Sequence, residues 1–350
     1  MFKKTNRQFK KVVDWIAEKT HIMYWSDDIE PDSERTKVVV AAAKKTGVRI
    51  QQQKVFGKRD DMLRFEQNGT WHEFFSLPSS IQDGEKTRTL LDSKWHTKQF
   101  LESFDAATPK GFVVHTSRQL NKALRRLSYP AVIKPAQGSR GRHSHILIND
   151  QEQAVSAFKS AKKICAFVMC EEMLHGSVYR FTTVNGKVVA VLRGDYPSVI
   201  GDGQHTVRQL LAKKNAKRAA QISEVKITKS LRGLLEKQST KLDSIPEKGE
   251  QVLLGQKIGV RYGGDAVEVT SHTHPTFTAG LERVAEKIPL FILGFDVIAE
   301  DITKPDIEQK WGIIEINTVP FINLHHYPRS GKPVDVASIV WREIRRQFQE

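Results

Sequence analysis

The sequence predicts an α+β fold built from antiparallel sheets. Segments with strand character outnumber the helical segments that could connect parallel strands. No GxxxxGK(S/T) run leads into a helix, and GDGQHT (201–206) lacks the third glycine of GxGxxG. The 350 residues are enough for two or three packed units. A P-loop or doubly wound dinucleotide-binding fold is therefore disfavoured.

Residues 1 to about 90 alternate helical and extended signals. Thr36–Ile50 predicts a helix, a glycine that ends it and a strand. The acidic run Trp25–Glu34 predicts a surface loop, and this region contains no chemical motif. We therefore predict a small α/β domain here.

The elements after Asp92 include many short strands. Helices are predicted over 93–104 and 117–127, with a turn at 108–111 between them. The strands that follow are YPAVIKPA, HSHILIND, ICAFVMCEEM, YRFTTV and KVVAVLRG. The later elements are VLLG, AVEVT, a helix over 277–287, FILGFDVIAED, WGIIEIN and a last helix from 335.

Basic residues are partly concentrated in Val207–Lys241, where Glu224 and Glu236 are the only acids. The leucines of this segment have amphipathic helical spacing. Two interpretations stay open: a solvated helical surface, or a positive wall over an anionic site.

The net charge of +15 indicates an affinity for anions, which include nucleic acid, acidic lipid, nucleotide phosphates and anionic substrates. Aromatic residues for base stacking are missing from the basic segment, so nucleic acid is a disfavoured partner. The longest apolar run, Pro289–Phe295, is too short to span a membrane, and the N-terminus has no secretory signal. We expect a cytoplasmic protein without a membrane partner. Cys165 and Cys170 are predicted to be reduced packing residues.

Glu315 and Asn317 interrupt the apolar strand WGIIEIN. Because side chains alternate along a strand, these two point the same way. A buried carboxylate needs a cation, which could be a lysine, an arginine or a hard metal ion such as Mg²⁺. The strand alone does not choose between them.

Lys134 ends an apolar strand just before Gly138 and Gly141, and Arg140 and Arg142 add positive charge. Glycines let the backbone approach a ligand, and successive N–H groups can hold phosphate oxygens. A GxxG turn between strands is also simply a turn, so this motif alone is weak.

The order of the motifs resembles the ATP-grasp superfamily, in the branch of cyanophycin synthetase and bifunctional glutathione synthetase. That order is Lys94 and Lys98 on one helix face, the lysine strand with its glycine loop, the acidic strand end Glu171–Glu172, then Asp296, Glu315 and Asn317. The resemblance extends from about Asp92 to residue 350. The segments that carry it are SKWHTKQFLESFDAATPKG, YPAVIKPAQGSRGR, CEEMLHGSVYRFTTVNGKVVAV, VIGDGQHTVRQLL, KLDSIPEKGEQVLL, YGGDAVEVTSHTHP, GFDVIAEDI and IIEINTVP.

The resemblance implies an ATP-grasp fold, in which two α+β subdomains grip ATP, preceded by a small α/β pre-ATP-grasp domain. The expected domains are 1–90, an N-terminal grasp subdomain over 91–168 with the glycine loop, and a C-terminal grasp subdomain over 169–350. The basic helical segment becomes an insertion at about 205–242.

The resemblance also implies the cofactors and the site residues. The cofactors are ATP and Mg²⁺, two ions, with Mn²⁺ as an alternative metal. The implied nucleotide-binding residues are Lys94, Lys134, Gly138, Ser139, Arg140, Gly141, Arg142, Glu171, Glu172 and Met173. The implied metal ligands are Asp296, Glu315 and Asn317, with Asp301 as an alternative, and the implied catalytic residues are Arg180 and Arg193.

The activity implied by the resemblance is ADP-forming ligation of a carboxylate to an amine through an acylphosphate. The substrates would be amino acids, peptides or similar small molecules, and a homo-oligomer is compatible with the sequence. An alternative is a catalytically silent ATP-binding regulatory or scaffold protein. Three positions depart from the family pattern: Val178 where a ribose-binding glutamate is common, Phe321 where glycine is usual, and GVRYGG (259–264), which lacks a Ser/Thr-rich lead-in.

Overall fold

The computed structural model of the chain describes residues 20, 22–78, 85–137, 144–218, 222–255 and 257–347. They form two compact units. Unit 1 takes its described residues from 1–81, 321–326 and 335–350, and unit 2 takes them from 82–320 and 327–334. No helix in the described part of the chain has both the length and the apolar composition that a membrane crossing requires.

The described residues contain ten α-helices and fifteen strands. The helices are α1 (Glu34–Thr46), α2 (Glu85–Leu91), α3 (Lys94–Glu102), α4 (Ser117–Leu124), α5 (Gln151–Lys162), α6 (Val207–Lys217), α7 (Lys229–Lys237), α8 (Pro275–Ala285), α9 (Asn323–His326) and α10 (Val336–Gln347). The strands are β1 (Met23–Ser26), β2 (Ile50–Val55), β3 (Lys58–Gln67), β4 (Thr70–Phe75), β5 (Gly111–Val114), β6 (Ala131–Pro135), β7 (His145–Ile148), β8 (Val168–Glu172), β9 (Ser177–Val184), β10 (Lys187–Gly194), β11 (Ser198–Ile200), β12 (Gln251–Leu253), β13 (Ala266–Glu268), β14 (Ile292–Ala299) and β15 (Gly312–Asn317).

Unit 1 is a four-stranded antiparallel sheet in the order β1-β2-β3-β4 with helices α1, α9 and α10. The Ser33 side chain caps α1, and Gly47 ends it at a φ of 71°, a conformation that glycine adopts without strain. Trp341 of α10 is fully buried. Its ring meets Phe65 edge-on with centroids 5.3 Å apart, and its indole N–H donates to the Val39 carbonyl at 2.9 Å.

Unit 2 contains two larger antiparallel sheets. One has the order β5-β8-β6-β7 and packs on α4 and α5 through a core that includes Leu120, Ile133 and Phe158. The other has the order β13-β10-β9-β14-β15 and packs on α8 through a core that includes Phe181 and Phe277. These two sheets supply the walls of the site described below.

The basic segment forms its own small layer in unit 2. It folds into two helices, α6 and α7, which share a hydrophobic cluster with the two-stranded antiparallel sheet β11-β12. Members of this cluster are Val207, Leu210, Leu211, Val225, Leu231, Leu235, Leu242, Val252 and Leu254. The amphipathic spacing in the sequence therefore reflects packing of one face of each helix.

The predicted α+β class is confirmed, and every helix and strand predicted after Asp92 corresponds to an observed element. Four elements after Asp92 were not predicted: strands β5 and β11 and helices α5 and α9. Asp150 caps α5 by accepting from the Gln153 N–H at 2.8 Å, which is a start signal that a sequence can show.

The division into domains 1–90, 91–168 and 169–350 stays a proposal, and two observations bear on its limits. A boundary at 168/169 would cut β8, which pairs with β5 and β6 of the four-stranded sheet. Helix α10, at the end of the third proposed domain, belongs to unit 1.

Candidate active site

The strand pair β14-β15 brings three predicted metal ligands together. Asp296 is directly opposite Glu315, so their side chains share one face of the sheet. Asn317 lies opposite Gly294 on the same face, and its Nδ2 is 3.3 Å from Asp296 Oδ2. A Cβ at Gly294 would come within 2.8 Å of the Pro320 Cβ, so only glycine leaves room for the chain after β15.

Each of the two carboxylates is paired with a protein cation. Lys94, in the first turn of α3, donates to Glu315 Oε1 at 2.6 Å. Arg180 of β9 makes a bidentate pair with Asp296, with Nε–Oδ1 and Nη2–Oδ2 distances of 2.7 Å. The sequence left open whether a basic side chain or a metal ion would balance the buried carboxylate. The structure contains a basic partner for each of the two carboxylates. Metal binding stays a prediction.

The surrounding charges keep Glu315 ionised. Burial raises the pKa of Glu315, but the charge and hydrogen bond of Lys94, together with the charges of Lys134 and Arg180, hold this pKa below its usual range. Burial likewise lowers the pKa of Arg180, whereas Asp296 and then Glu315 raise it above its usual value overall. At neutral pH the site therefore offers anionic oxygen atoms.

The other sheet contributes a second buried ion pair. Lys134 of β6 lies 2.5 Å from Glu171 of β8, and the two residues are only 9% and 4% exposed. The next residue, Glu172, accepts from the Lys110 N–H at 2.7 Å and pairs with Lys310 at 2.5 Å. Burial raises the pKa of Glu172, but these hydrogen bonds lower it below its usual value overall. Both glutamates are therefore fixed in position.

A cavity of about 290 Å³ has walls from both larger sheets of unit 2. We call it the cleft cavity. Its charged lining consists of Lys94, Lys134, Glu171, Glu172, Lys257 and Glu315, and its apolar lining includes Val132, Ile146, Met173, Leu174, Val178, Ile298 and Ile314. A cavity lined by both lysines and aliphatic side chains matches the chemistry of a nucleotide, which has anionic phosphates and a flat base.

The structure brings most of the predicted site residues together. Those that line the cleft cavity are Lys94, Lys134, Glu171, Glu172, Met173 and Glu315. Asp296, Asn317 and Arg180 adjoin Glu315 through the sheet and its ion pairs. Gly138, Ser139, Arg140, Gly141 and Arg142 lie outside the described residues. Asp301 is in the turn after β14, where it accepts from Thr303.

Arg193 is not brought to this group. Strand β9 pairs with β10 so that Arg180 is opposite Leu192 and Arg193 is opposite Tyr179. Since cross-strand partners share a face, the two arginines point to opposite faces of the sheet. Arg193 forms an ion pair with Asp195 at 2.8 Å. A catalytic role for Arg193 stays a prediction without a contact that supports it.

The polar residues of the site that sequence reasoning missed include Tyr196, Lys257, Tyr262 and Lys310. The first three line the cleft cavity, and Lys310 holds Glu172. Lys257 lies two residues before the GVRYGG run and Tyr262 lies within it, and this run stood out in the sequence only as a departure. Tyr196 and Lys310 come from loops without a motif, so no sequence signal points to them.

Comparisons with known proteins give homologues for most of this chain. No protein-family model matches it. Cyanophycin synthetase from Crocosphaera subtropica is 34% identical over 260 residues, which are 72% of this chain and 30% of that protein. The glutathione biosynthesis bifunctional protein GshAB from Clostridium perfringens is 26% identical over 278 residues, 72% of this chain and 36% of that protein. The chain thus spans about a third of the length of these curated relatives.

The fold has a counterpart among solved structures. The crystal structure of a bifunctional glutathione synthetase from Pasteurella multocida superposes with a TM-score of 0.69 at 22% sequence identity. The superposition covers 89% of this chain and 44% of that one. This similarity concerns the fold.

Proposed function

Because this chain belongs to the ATP-grasp superfamily, we propose that it is an ATP-dependent, ADP-forming carboxylate–amine ligase. The proposed substrates are amino acids or peptide-like molecules. Two kinds of homologue support this choice, since they are named for the synthesis of cyanophycin and of glutathione. A cytoplasmic location remains a prediction from the sequence.

The observation that carries the proposal is the pairing of lysines with carboxylates around one cavity. Lys94 and Lys134 come from different elements, and both line the cleft cavity beside Glu315. Lysines bind phosphate oxygens as point charges. An ionised Glu315 next to Asp296 and Asn317 offers the oxygen ligands that Mg²⁺ prefers. The same wall can therefore hold both a triphosphate and its metal.

The donor set fits magnesium in its chemistry. Among the described residues, no group of three or more His, Cys, Asp and Glu side chains forms a metal cluster. The predicted set instead combines two carboxylates, Asp296 and Glu315, with the amide of Asn317, all on one sheet face. Bound there, Mg²⁺ would neutralise phosphate charge. The number of ions, two by resemblance, belongs to the proposal.

In the proposed reaction, an oxygen of the substrate carboxylate attacks the γ-phosphorus of ATP, which gives an acylphosphate and ADP. The nitrogen of the amine substrate then attacks the acyl carbon, the bond from that carbon to the phosphate oxygen breaks, and phosphate leaves as the amine loses a proton. Positive charge at Lys94, Lys134 and Arg180 stabilises the negative charge that develops in both steps. The apolar lining of the cleft cavity would exclude water from the base.

The decisive experiment is an assay of the full chain with ATP, Mg²⁺ and pooled amino acids and peptides. We expect release of ADP and phosphate that depends on the pool, and a product whose mass equals the two substrates minus water. Glu315→Gln should lower the rate at least about 100-fold, because it removes a charge that the metal site needs. The matched control is Glu308→Gln, since Glu308 is exposed and does not line the cleft cavity.

The alternative, an ATP-binding regulatory or scaffold protein without turnover, makes the opposite prediction. The ion pairs Lys94–Glu315 and Arg180–Asp296 give it some support, because they satisfy the site carboxylates without a metal. Tight ATP binding by calorimetry, combined with no ADP release with any pool, would establish this alternative and refute the ligase.

A further inference from the structure

A further cavity, of about 250 Å³, lies in unit 2 on the side of the sheet that faces helix α8. Glu315 lines the cleft cavity, whereas the next residue, Ile316, belongs to the core in which α8 packs on the sheet. Since successive side chains of a strand point to opposite faces, α8 covers the face away from the cleft cavity. Val284 of α8 and Ile313 of β15 line the further cavity, which we call the α8 cavity. The linings of the two cavities have no residue in common.

The interior of the α8 cavity is apolar. Its lining residues Val284 and Ile313 are only 5% and 1% exposed. The Trp311 ring also lines the cavity, and it packs edge-on against Phe277 with ring centroids 5.0 Å apart. The cavity therefore offers aliphatic surface and an aromatic ring that is held in place.

Gly280 keeps space open between two side chains of the α8 cavity. It stands in the middle of α8, where glycine destabilises a helix by about 1 kcal/mol relative to alanine. A Cβ at this position would lie 3.8 Å from Arg283 Nη2 and 4.0 Å from Trp311 Cη2, which are ordinary contacts. The described residues would therefore accommodate alanine, and glycine instead leaves a space that both side chains border. One small molecule in that space can contact the guanidinium and the ring together.

The guanidinium of Arg283 is available for an anion. Glu286, one turn further along, pairs with Lys187 at 3.8 Å instead. No carboxylate of the described residues forms an ion pair with Arg283. A guanidinium presents several N–H donors to a carboxylate, so this side chain can bind one from a ligand.

Two carboxylates also line the α8 cavity. Asp105 follows α3, and Asp306 lies between β14 and β15. Neither side chain has an ion pair or a hydrogen bond to another described residue. The φ of Asp105 is 54°, which glycine would adopt without strain, so the turn itself does not require a carboxylate. The N–H of Asp306 donates to Thr276 Oγ1 at 3.0 Å, which holds its loop against α8.

We propose that the α8 cavity binds a free α-amino acid with an apolar side chain. The ligand carboxylate accepts from Arg283, and its ammonium donates to Asp105 or Asp306. The apolar side chain packs on Trp311 and the interior. An anion alone would face two carboxylates and a cation alone would face the guanidinium, so a zwitterion matches the charges best. Because the sheet separates this site from Glu315, the bound amino acid is distinct from one that reacts in the cleft cavity.

Changes to the ligand test each contact. The full chain, without nucleotide, is titrated calorimetrically with L-leucine, L-methionine and L-phenylalanine. The tightest of these is compared with its N-acetyl derivative, which lacks the ammonium, with its amino alcohol, which lacks the carboxylate, and with glycine. We expect each of these three compounds to bind at least about tenfold more weakly, because each loses a charged or apolar contact. No binding of any apolar amino acid at about 10 mM, or equal binding of the N-acetyl derivative, overturns the inference.

Two variants of α8 locate the binding. Gly280→Ala fills the open space with a methyl group and should weaken the amino acid at least about tenfold, although it favours the helix, so misfolding does not explain the loss. Arg283→Ala should weaken the amino acid at least about tenfold and leave the amino alcohol within about twofold. Lys287→Ala is the control, because Lys287 is exposed just after α8 and outside the lining. Unchanged affinity in both Gly280→Ala and Arg283→Ala overturns the assignment.

The carboxylates have a separate test. The double variant Asp105→Asn, Asp306→Asn should weaken the amino acid at least about tenfold and leave its N-acetyl derivative within about twofold. Glu308→Gln is the control, since Glu308 is exposed and lies outside the lining. This inference does not rest on the proposed ligase function, because binding is measured without ATP. An amino acid that binds in the cleft as a substrate would be unaffected by all of these variants, and that result would keep the ligase and refute the α8 site.

Discussion

Val178 is the residue at which the cleft cavity departs from the family pattern, which commonly has a ribose-binding glutamate there. It contributes an apolar surface to the lining. The three glutamates that line this cavity, Glu171, Glu172 and Glu315, are each paired with a lysine. No lining carboxylate of the described residues is therefore left unpaired to accept a hydrogen bond from a ribose hydroxyl.

We expect the protein to use 2′-deoxyATP with a KM within about threefold of that for ATP. Val178→Glu should favour ATP over 2′-deoxyATP by about tenfold or more, because a hydrogen bond to a charged acceptor contributes roughly 1.5 to 3 kcal/mol. The measurement is the KM of each nucleotide in the ADP-release assay. Val178→Leu is the matched control and should show no preference. A wild-type preference for ATP of tenfold would contradict the prediction.

The ion pairs of the site show how far residue-level prediction extends. The sequence predicts that Glu315 needs a cation, because the strand around it is apolar. It does not identify Lys94, which is 221 positions away and reaches Glu315 through the packing of α3 near β15. The two arginines show the same limit, because the register that separates Arg180 from Arg193 depends on which strands pair.

At the scale of elements, helix α6 is anchored to the rest of unit 2 through Asp265. This carboxylate is 6% exposed and accepts from Lys214 of α6 at 2.7 Å and from Arg329. Lys214 is itself largely buried. The anchor therefore ties the basic layer to the segment before β13.

Asp265→Asn should lower the free energy of unfolding by about 3 kcal/mol, because it leaves a buried lysine without its counter-charge. The measurement is urea denaturation monitored by fluorescence. Asp243→Asn is the control, since Asp243 forms an exposed ion pair with Arg208 of the same helix and its loss should leave the free energy of unfolding nearly unchanged. Equal losses for the two variants would mean that burial of the Asp265 pair does not matter.

The elements that sequence reasoning recovered are those with strong local signals. The helix, glycine stop and strand over Thr36–Ile50 are observed as α1, Gly47 and β2. Helix α5 was not predicted, although its capping residue Asp150 precedes it. The residues on its buried face are mostly alanines, whose small side chains give only a weak helical pattern of hydrophobicity. The basic segment was predicted as helical, and its described residues form two helices, α6 and α7, that share one hydrophobic cluster with β11 and β12.

At the scale of the whole molecule, contacts between distant parts of the sequence decide which segments make up each unit. Helix α10 completes the core of unit 1, where Trp341 donates to a carbonyl 302 positions earlier. The sequence predicts the helix, but no local signal assigns it to a unit, since tertiary packing decides that. All residues of the cleft cavity belong to unit 2.

Because the two units have separate cores, a core variant in unit 1 and a ligand of unit 2 should act on different unfolding transitions. Trp341→Ala should destabilise unit 1 by roughly 3 to 5 kcal/mol, since it removes a fully buried aromatic ring. ATP with Mg²⁺ at 100 times its Kd should stabilise unit 2 by about 2.7 kcal/mol. Differential scanning calorimetry can resolve the two transitions, and Arg342→Ala, an exposed neighbour on α10, serves as the control. A single transition that Trp341→Ala lowers and the nucleotide raises would show that the units unfold together.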